Sequence, residues 1–202
     1  MTQKKNTVIF DLFNVLVRWR HEKAYAKVIT DPQRLEFFLQ NVIGSRFDYL
    51  MEHTSIEEAV IETQKKYPEY ADEIAIYPQI LPEMFDGYIT ENLQIIKELK
   101  ETGVKVYLLS NLHLSAIPMA KKIVDFWDLF DGIIISGEVG ASKPEPEIFQ
   151  ILFDRFKINP KEAVFIDDTE VNVQAAKILG LDALIFKDSQ EVRAFLEKFS
   201  LL

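Results

Sequence analysis

Asp11 closes the apolar run Thr7-Val8-Ile9-Phe10-Asp11. A carboxylate at the tip of a strand buried on both faces is costly unless water, a metal or a substrate meets it there. Polar residues end two later apolar runs in the same way, Ser110-Asn111 and Asp167-Asp168, and Lys143 lies between them in sequence. In an open α/β sheet, ligands bind at the carboxyl ends of parallel strands. Carboxylates, a hydroxyl, an amide and an ammonium on one such rim could supply a nucleophile, hold a cation and bind an anion. That combination points to an enzyme.

The elements that must position these groups are legible as five short apolar runs separated by helical patterns: Val8–Asp11, Val104–Leu109, Gly132–Ser136, Ala163–Asp167 and Ala183–Phe186. Strands alternating with helices imply βαβ units and a parallel sheet. Leu93, Ile96 and Leu99 repeat at helical spacing before the second strand, with Thr90 as a candidate cap and Gly103 as the stop. Pro144 and Pro146 open a helix carrying Ile148, Phe149, Leu152 and Phe156, and Asn172 to Leu179 forms another, closed by Gly180.

Between Trp19 and Gly87 the pattern changes to helix signals without β-like alternation. Asp31-Pro32 places a cap and a first-turn proline before Leu35, Phe38, Leu39 and Val42. Ser55 and Glu58 form a capping-box pair before Ile56, Ala59, Val60 and Thr63. Tyr67-Pro68 and Tyr77-Pro78 mark expected breaks. The expected organisation is an α/β core over 1–18 and 88–202, with an all-helical subdomain inserted over 19–87.

Composition sets outer limits. With 202 residues, 48% of them hydrophobic and 27% charged, the chain suits a folded domain with an insertion. Its net charge, 23 − 32 = −9, disfavours a nucleic-acid partner. With no cysteine there is no thiolate nucleophile or disulfide, and His21, His53 and His113 lie far apart in sequence. Asp11 and Asn14 interrupt the apolar residues that follow Lys4-Lys5, so a signal peptide is not expected. No stretch approaches the roughly 18 apolar residues of a membrane span. The expected location is cytoplasmic.

The run Phe10-Asp11-Leu12-Phe13-Asn14-Val15-Leu16 resembles the first motif of the haloacid dehalogenase-like hydrolase superfamily. Leu109-Ser110-Asn111 matches its second motif, and Ser142-Lys143-Pro144-Glu145-Pro146 resembles its third. Phe165-Ile166-Asp167-Asp168-Thr169, followed by Asn172-Val173 and Ala175-Ala176, is similar to its fourth. Each motif alone is weak; all four, in order and at strand ends, frame nearly the whole chain. The resemblance implies a doubly wound, Rossmann-type parallel sheet of strand order 5-4-1-2-3, with the helical insertion as a cap.

It also implies roles. Asp11 would attack phosphorus in line and form an aspartyl-phosphate. Mg²⁺ would be held by Asp11, the backbone carbonyl of Phe13 and Asp168, with Asp167 either a direct ligand or one step behind. Asn172 could orient a metal-bound water. Ser110 and Asn111, with backbone amides after the second strand, would bind phosphoryl oxygens together with Lys143, which neutralises the charge of the transferring group and of Asp11. Ser110 has no sequence-apparent histidine base and is not read as a nucleophile. A small phosphorylated metabolite would be the substrate.

One departure is informative. Most phosphatases of this superfamily place a second aspartate two residues after the nucleophile as general acid and base, and here that position is Phe13. Three readings follow. The enzyme is a phosphatase whose leaving group needs little protonation, such as a sugar 1-phosphate or acyl phosphate; Asp-Leu-Phe-Asn resembles the Asp-Leu-Gly-Asn of a glucose-phosphate phosphatase group that also lacks the acid. Alternatively it is a 2-haloacid dehalogenase, which uses no metal and leaves Asp167-Asp168 unexplained. Or it is a catalytically impaired relative that binds a phosphorylated ligand or a protein. Arg18, Trp19, Arg20 and Arg46 are candidates to contact substrate beyond its phosphate, and His21 or His53 to supply a substitute acid; cap closure would exclude water.

Overall fold

The structure, a computed structural model, describes residues 4–202 apart from the side chains of Ser45, Arg46, Asp48 and Glu52. The chain divides into two compact units: 1–18, 88–111 and 126–202 form one, and 19–87 with 112–125 form the other.

The first unit is built on five parallel strands. β1 (Thr7–Phe10) is followed, beyond two short strands β2 (Val17–Trp19) and β3 (Phe85–Tyr88), by β4 (Lys105–Ser110), β5 (Gly132–Ile135), β6 (Ala163–Asp167) and β7 (Asp182–Ile185). Their order is β5-β4-β1-β6-β7, the expected doubly wound arrangement with the first strand at the centre. β1 pairs in parallel on both sides, Phe10 standing opposite Leu108 of β4 and Ile166 of β6. All four of its residues are buried, which is why Thr-Val-Ile-Phe reads as a continuous apolar run rather than an alternating one.

Alternate side chains of the strands point to opposite faces. Ile9, Tyr107, Leu109, Ala163 and Phe165 share one core with Ile148, Phe149 and Leu152 of the helix Pro146–Phe156 and with Val173 and Ala176 of the helix Glu170–Ile178. Phe149 and Phe165 meet edge to face, centroids 5.5 Å apart. Burying one such side chain contributes about 1.5–3 kcal/mol. Gly132 is needed in β5 because a Cβ there would run into the Phe156 ring. The helices Thr90–Glu101 and Ser189–Lys198 pack against each other, joined by the paired bonds of Arg193 to Glu98 at 2.8 and 3.1 Å. Thr90 does not cap its helix: Ile89 occupies the cap position, and the Thr90 hydroxyl turns to the Glu91 carboxylate.

The second unit is helical. Asp31 caps the helix Pro32–Phe37 by accepting from the Arg34 N–H at 2.7 Å, and Ser55 and Glu58 complete a capping box on Ile56–Lys66. A π-helical turn, Phe38–Val42, follows the first of these helices. Its core is aromatic: Tyr25 packs on Phe38 at 4.6 Å, Phe38 on Tyr70 at 5.4 Å and Phe47 on Tyr77 at 4.6 Å. Phe37 and Tyr49 of the same unit are exposed. Ala116 is buried in the same core, with Leu112 and Met119 packed against it. Residues 112–125 therefore belong to the helical unit and not to the α/β core, where their place between β4 and β5 in sequence had put them. No helix among the described residues is long and apolar enough to cross a membrane.

His21 makes one stability prediction. Its ring lies 3.3 Å from the Tyr77 hydroxyl, and burial pushes its pKa down from 6.5 to about 4. Between those values the unfolded chain binds a proton that the folded chain refuses, so stability is full above about pH 6.5 and falls as pH drops toward 4. The ring keeps some solvent contact, so the loss is about 1–2 kcal/mol rather than the ~3 kcal/mol of the whole shift. Urea midpoints at pH 5 and 7.5 should draw closer in His21→Gln than in the natural protein; equal separations would refute the assignment. At neutral pH the folded ring is the neutral imidazole rather than the imidazolium, which argues against His21 as a substitute general acid.

Candidate active site

β1 ends where its ladder ends: the Asp11 N–H still donates to the Ile166 carbonyl at 2.9 Å, and the chain then turns. The turn is tight because Leu16 and Val17 both donate to the Leu12 carbonyl, and Asn14 sits at φ +56°. Asparagine tolerates that left-handed conformation better than most residues. Its side chain also hydrogen-bonds Asp168, a contact with no signal in the sequence. Phe13, half-buried, bridges to Val17 within this turn.

Lys143 reaches the same rim from the turn 142–145, which closes through Glu145 N–H to the Ser142 carbonyl at 2.9 Å. Its ammonium lies 2.6 Å from Asp11 Oδ1 and 2.6 Å from Asp167 Oδ2, with only 2% of the side chain exposed. Asp167 is fully buried, and its Oδ1 accepts from the Thr169 N–H at 2.9 Å and from Asn172 Nδ2 at 3.0 Å. Asn172 thus orients Asp167. Asp168, the next residue, is half-exposed and accepts from the Thr169 hydroxyl at 3.2 Å. The sheet pairing brings these groups together: one oxygen each from Asp11, Asp167 and Asp168 lie within 4.8 Å of one another.

When all three are ionised, three carboxylates against one ammonium leave a local excess of two negative charges. Burial pushes Asp11 up to about 7, Lys143 opposes it, and Asp167 and Asp168 add to it. Asp168 is raised by burial and then by Asp167. Burial alone would lower the Lys143 ammonium, but Asp11 and Asp167 outweigh it and hold the group firmly protonated. A divalent cation answers this excess, and hard carboxylate oxygens are the donors that Mg²⁺ takes. The residues fit the metal.

At the end of β4, Ser110 is 1% exposed and its Oγ has no hydrogen-bond partner among the described residues. An unmade bond at a buried hydroxyl costs roughly 1–3 kcal/mol and calls for an explanation. Asn111 stands next to it, and its side-chain amide bonds the Lys143 backbone at 2.8 Å in both directions. Of the residues expected to reach beyond the phosphate, Arg18 donates to the Tyr88 carbonyl at 2.7 Å and Arg20 is exposed beside Asp86 at 3.4 Å. Trp19 packs on the core of the helical unit, and the Arg46 side chain lies outside the described residues. His53 is exposed and stacked on Tyr49 at 4.1 Å.

The chain is 28% identical over 188 residues to drimenol cyclase from Aspergillus calidoustus, covering 92% of this chain and 35% of that protein. It is 34% identical over 95 residues to a sesquiterpene phosphatase from Aspergillus oryzae, covering 47% and 48%. It spans about half or less of the length of these curated relatives. A haloacid dehalogenase family enzyme from Bacteroides thetaiotaomicron, solved with magnesium and inorganic phosphate, superposes with TM-score 0.66 at 25% identity over 91% of this chain and 94% of that one. The sequence pattern of the haloacid dehalogenase-like hydrolases matches residues 5–180, so the strand-end acids and the buried lysine sit in a chain that belongs to the haloacid dehalogenase-like hydrolase family.

Proposed function

We propose that this protein is a Mg²⁺-dependent phosphatase that removes phosphate from a small phosphorylated metabolite through an aspartyl-phosphate on Asp11. One observation carries the reading: the Lys143 ammonium is bonded to Asp11 and Asp167 at 2.6 Å each, beside a third carboxylate, Asp168. Charge of both signs at that spacing suits an anion and a cation bound side by side. A phosphatase relative, and a family structure holding magnesium with phosphate, support the same chemistry.

In the proposed reaction an Asp11 carboxylate oxygen attacks phosphorus, the ester P–O bond breaks, and the leaving oxygen departs with the electron pair and takes a proton from water. Water then attacks phosphorus, the Asp11–phosphate bond breaks, and the carboxylate and inorganic phosphate return. Lys143 favours the ionised form of Asp11 against the burial that raises its pKa, and offsets the charge of the transferring group. The Ser110 hydroxyl, without a partner among the described residues, would find an acceptor in a phosphoryl oxygen. Asp11, Asp168 and the Phe13 carbonyl would hold Mg²⁺, which supplies charge neutralisation at the phosphate. Asp167 has both oxygens engaged by Lys143, Thr169 and Asn172, and so orients this group from behind while half-exposed Asp168 faces outward.

p-Nitrophenyl phosphate should turn over only with Mg²⁺ and stop on chelation. Metal-independent chloride release from 2-chloropropionate, or binding of phosphorylated ligands without turnover, would overturn the reading. Phe13 cannot transfer a proton, so leaving groups that depart readily, such as the anomeric oxygen of a sugar 1-phosphate or an acyl oxygen, fit best. Phe13→Asp should raise kcat/KM for simple alkyl phosphates more than for p-nitrophenyl phosphate, by up to about 10²–10⁴, the usual worth of general acid–base help. Equal effects on both substrates would show that leaving-group assistance is not what the site lacks.

A further inference from the structure

Asn111, the residue after β4, donates from Nδ2 to the Lys143 carbonyl at 2.8 Å and accepts the Lys143 N–H at Oδ1, also at 2.8 Å, across 32 positions of sequence. A side chain that bonds both backbone groups of one residue stands in for a strand neighbour and fixes that residue in place. The residue so fixed carries the ammonium that bonds Asp11 and Asp167 together. We propose that Asn111 is a positioning residue that acts through Lys143, holding its backbone so that the ammonium meets both carboxylates, rather than binding the phosphoryl group with its own side chain. What the lysine then does for phosphate rests on the phosphatase reading; the coupling of Asn111 to Lys143 does not.

The argument is one of reach and freedom. Lysine carries its charge on a flexible four-carbon stem. Two bonds of 2.6 Å to acids at the ends of different strands leave little latitude for the start of that stem. A misplacement of about 1 Å at a reacting centre can cost on the order of 10² in rate. Asparagine is the side chain that offers a donor and an acceptor in one rigid plane at this length. Aspartate at 111 would set a carboxylate against the Lys143 carbonyl, and alanine would leave both backbone groups to find other partners.

Two measurements on the full chain decide it. The first is the ¹H–¹⁵N ammonium resonance of Lys143, assigned by its loss in Lys143→Met. This signal should shift or broaden in Asn111→Ala while other lysine signals stay fixed, and an unmoved signal overturns the proposal. The second is a double-mutant cycle on affinity for inorganic phosphate with Mg²⁺ present, thermal melts confirming that each variant is folded. Asn111→Ala should weaken phosphate binding about five- to fifty-fold in the natural background, but no more than about twofold in Lys143→Met, because the residue it acts through is gone. Equal loss in both backgrounds means direct contact with phosphate and overturns the proposal. Should the natural protein bind no phosphate at all, the phosphatase reading falls, and the ammonium resonance still decides the role of Asn111.

Discussion

Asp11→Asn should leave a folded protein whose turnover of p-nitrophenyl phosphate is about 10⁴–10⁶-fold lower, the scale on which removing a nucleophile acts. A carboxamide oxygen does not attack phosphorus, and no second aspartate stands two residues on, where Phe13 lies. The fold should survive because the exchange is close to isosteric and the Lys143 ammonium keeps Asp167 at 2.6 Å. It also lightens the local charge: the Asp11 carboxylate is buried beside Asp167 and Asp168, and that environment raises its pKa. Loss of the bond to Lys143 and relief of like-charge repulsion work in opposite directions, so the melting temperature should move by only a few degrees. Mass spectrometry of quenched reactions should find an added phosphoryl group on the natural protein and none on the variant. Residual activity above about one per cent of the natural rate would refute the nucleophile assignment.

The fold was legible wherever one physical cause dominated. β1 and β6, and β4 beyond its exposed first residue Lys105, are buried on both faces, so their sequences read as apolar runs, and the polar residue that ends each run is where the sheet meets its rim. Asp31 and Ser55 announce helices because their side chains satisfy backbone N–H groups that a helix start leaves open. β2 and β3 gave no such signal. They are three and four residues long, hardly buried beyond Val17, and their pairing joins segments some 70 positions apart, which periodicity cannot sense. Residues 112–125 were misplaced for a related reason: a segment's position between two strands says nothing of which core its Ala116 enters.

At the site, residue types were readable and partnerships were not. Asp11, Lys143, Asp167 and Asp168 stand out as charges at strand ends or beside them. That Asn172 serves Asp167, Asn14 reaches Asp168 and Asn111 grips the Lys143 backbone depends on side-chain directions set by the fold. All three are asparagines, polar without charge, and each reads equally well as a turn or cap residue until its partner is seen.

Lys143→Met should combine the loss of activity with a loss of stability that magnesium partly reverses. In the natural protein one ammonium faces Asp11 and Asp167, both buried, and Asp168 adds a third carboxylate nearby. Methionine fills comparable space without charge, which leaves Asp11 and Asp167 buried with no cation. Breaking a buried pair from one side typically costs about 3–5 kcal/mol, because the partner keeps its desolvation penalty. Part of that cost will be avoided by proton uptake, since Asp11 already has a raised pKa. The expected loss without metal is therefore toward the lower figure, about 3 kcal/mol in urea unfolding at pH 7.5. A ligand that binds the folded state alone stabilises it by an amount set by its affinity. With the ammonium gone, Mg²⁺ becomes the remaining counter-charge for the cluster, so the rise in melting temperature on adding millimolar Mg²⁺ should be larger in the variant than in the natural protein. Turnover should still fall by at least about 10² with Mg²⁺ saturating, because the metal restores charge balance but not the ammonium at the transferring group. A variant that melts like the natural protein without metal would mean that the lysine is not what holds these carboxylates together. A smaller response to Mg²⁺ than the natural protein shows would mean that the cluster is not where the metal binds.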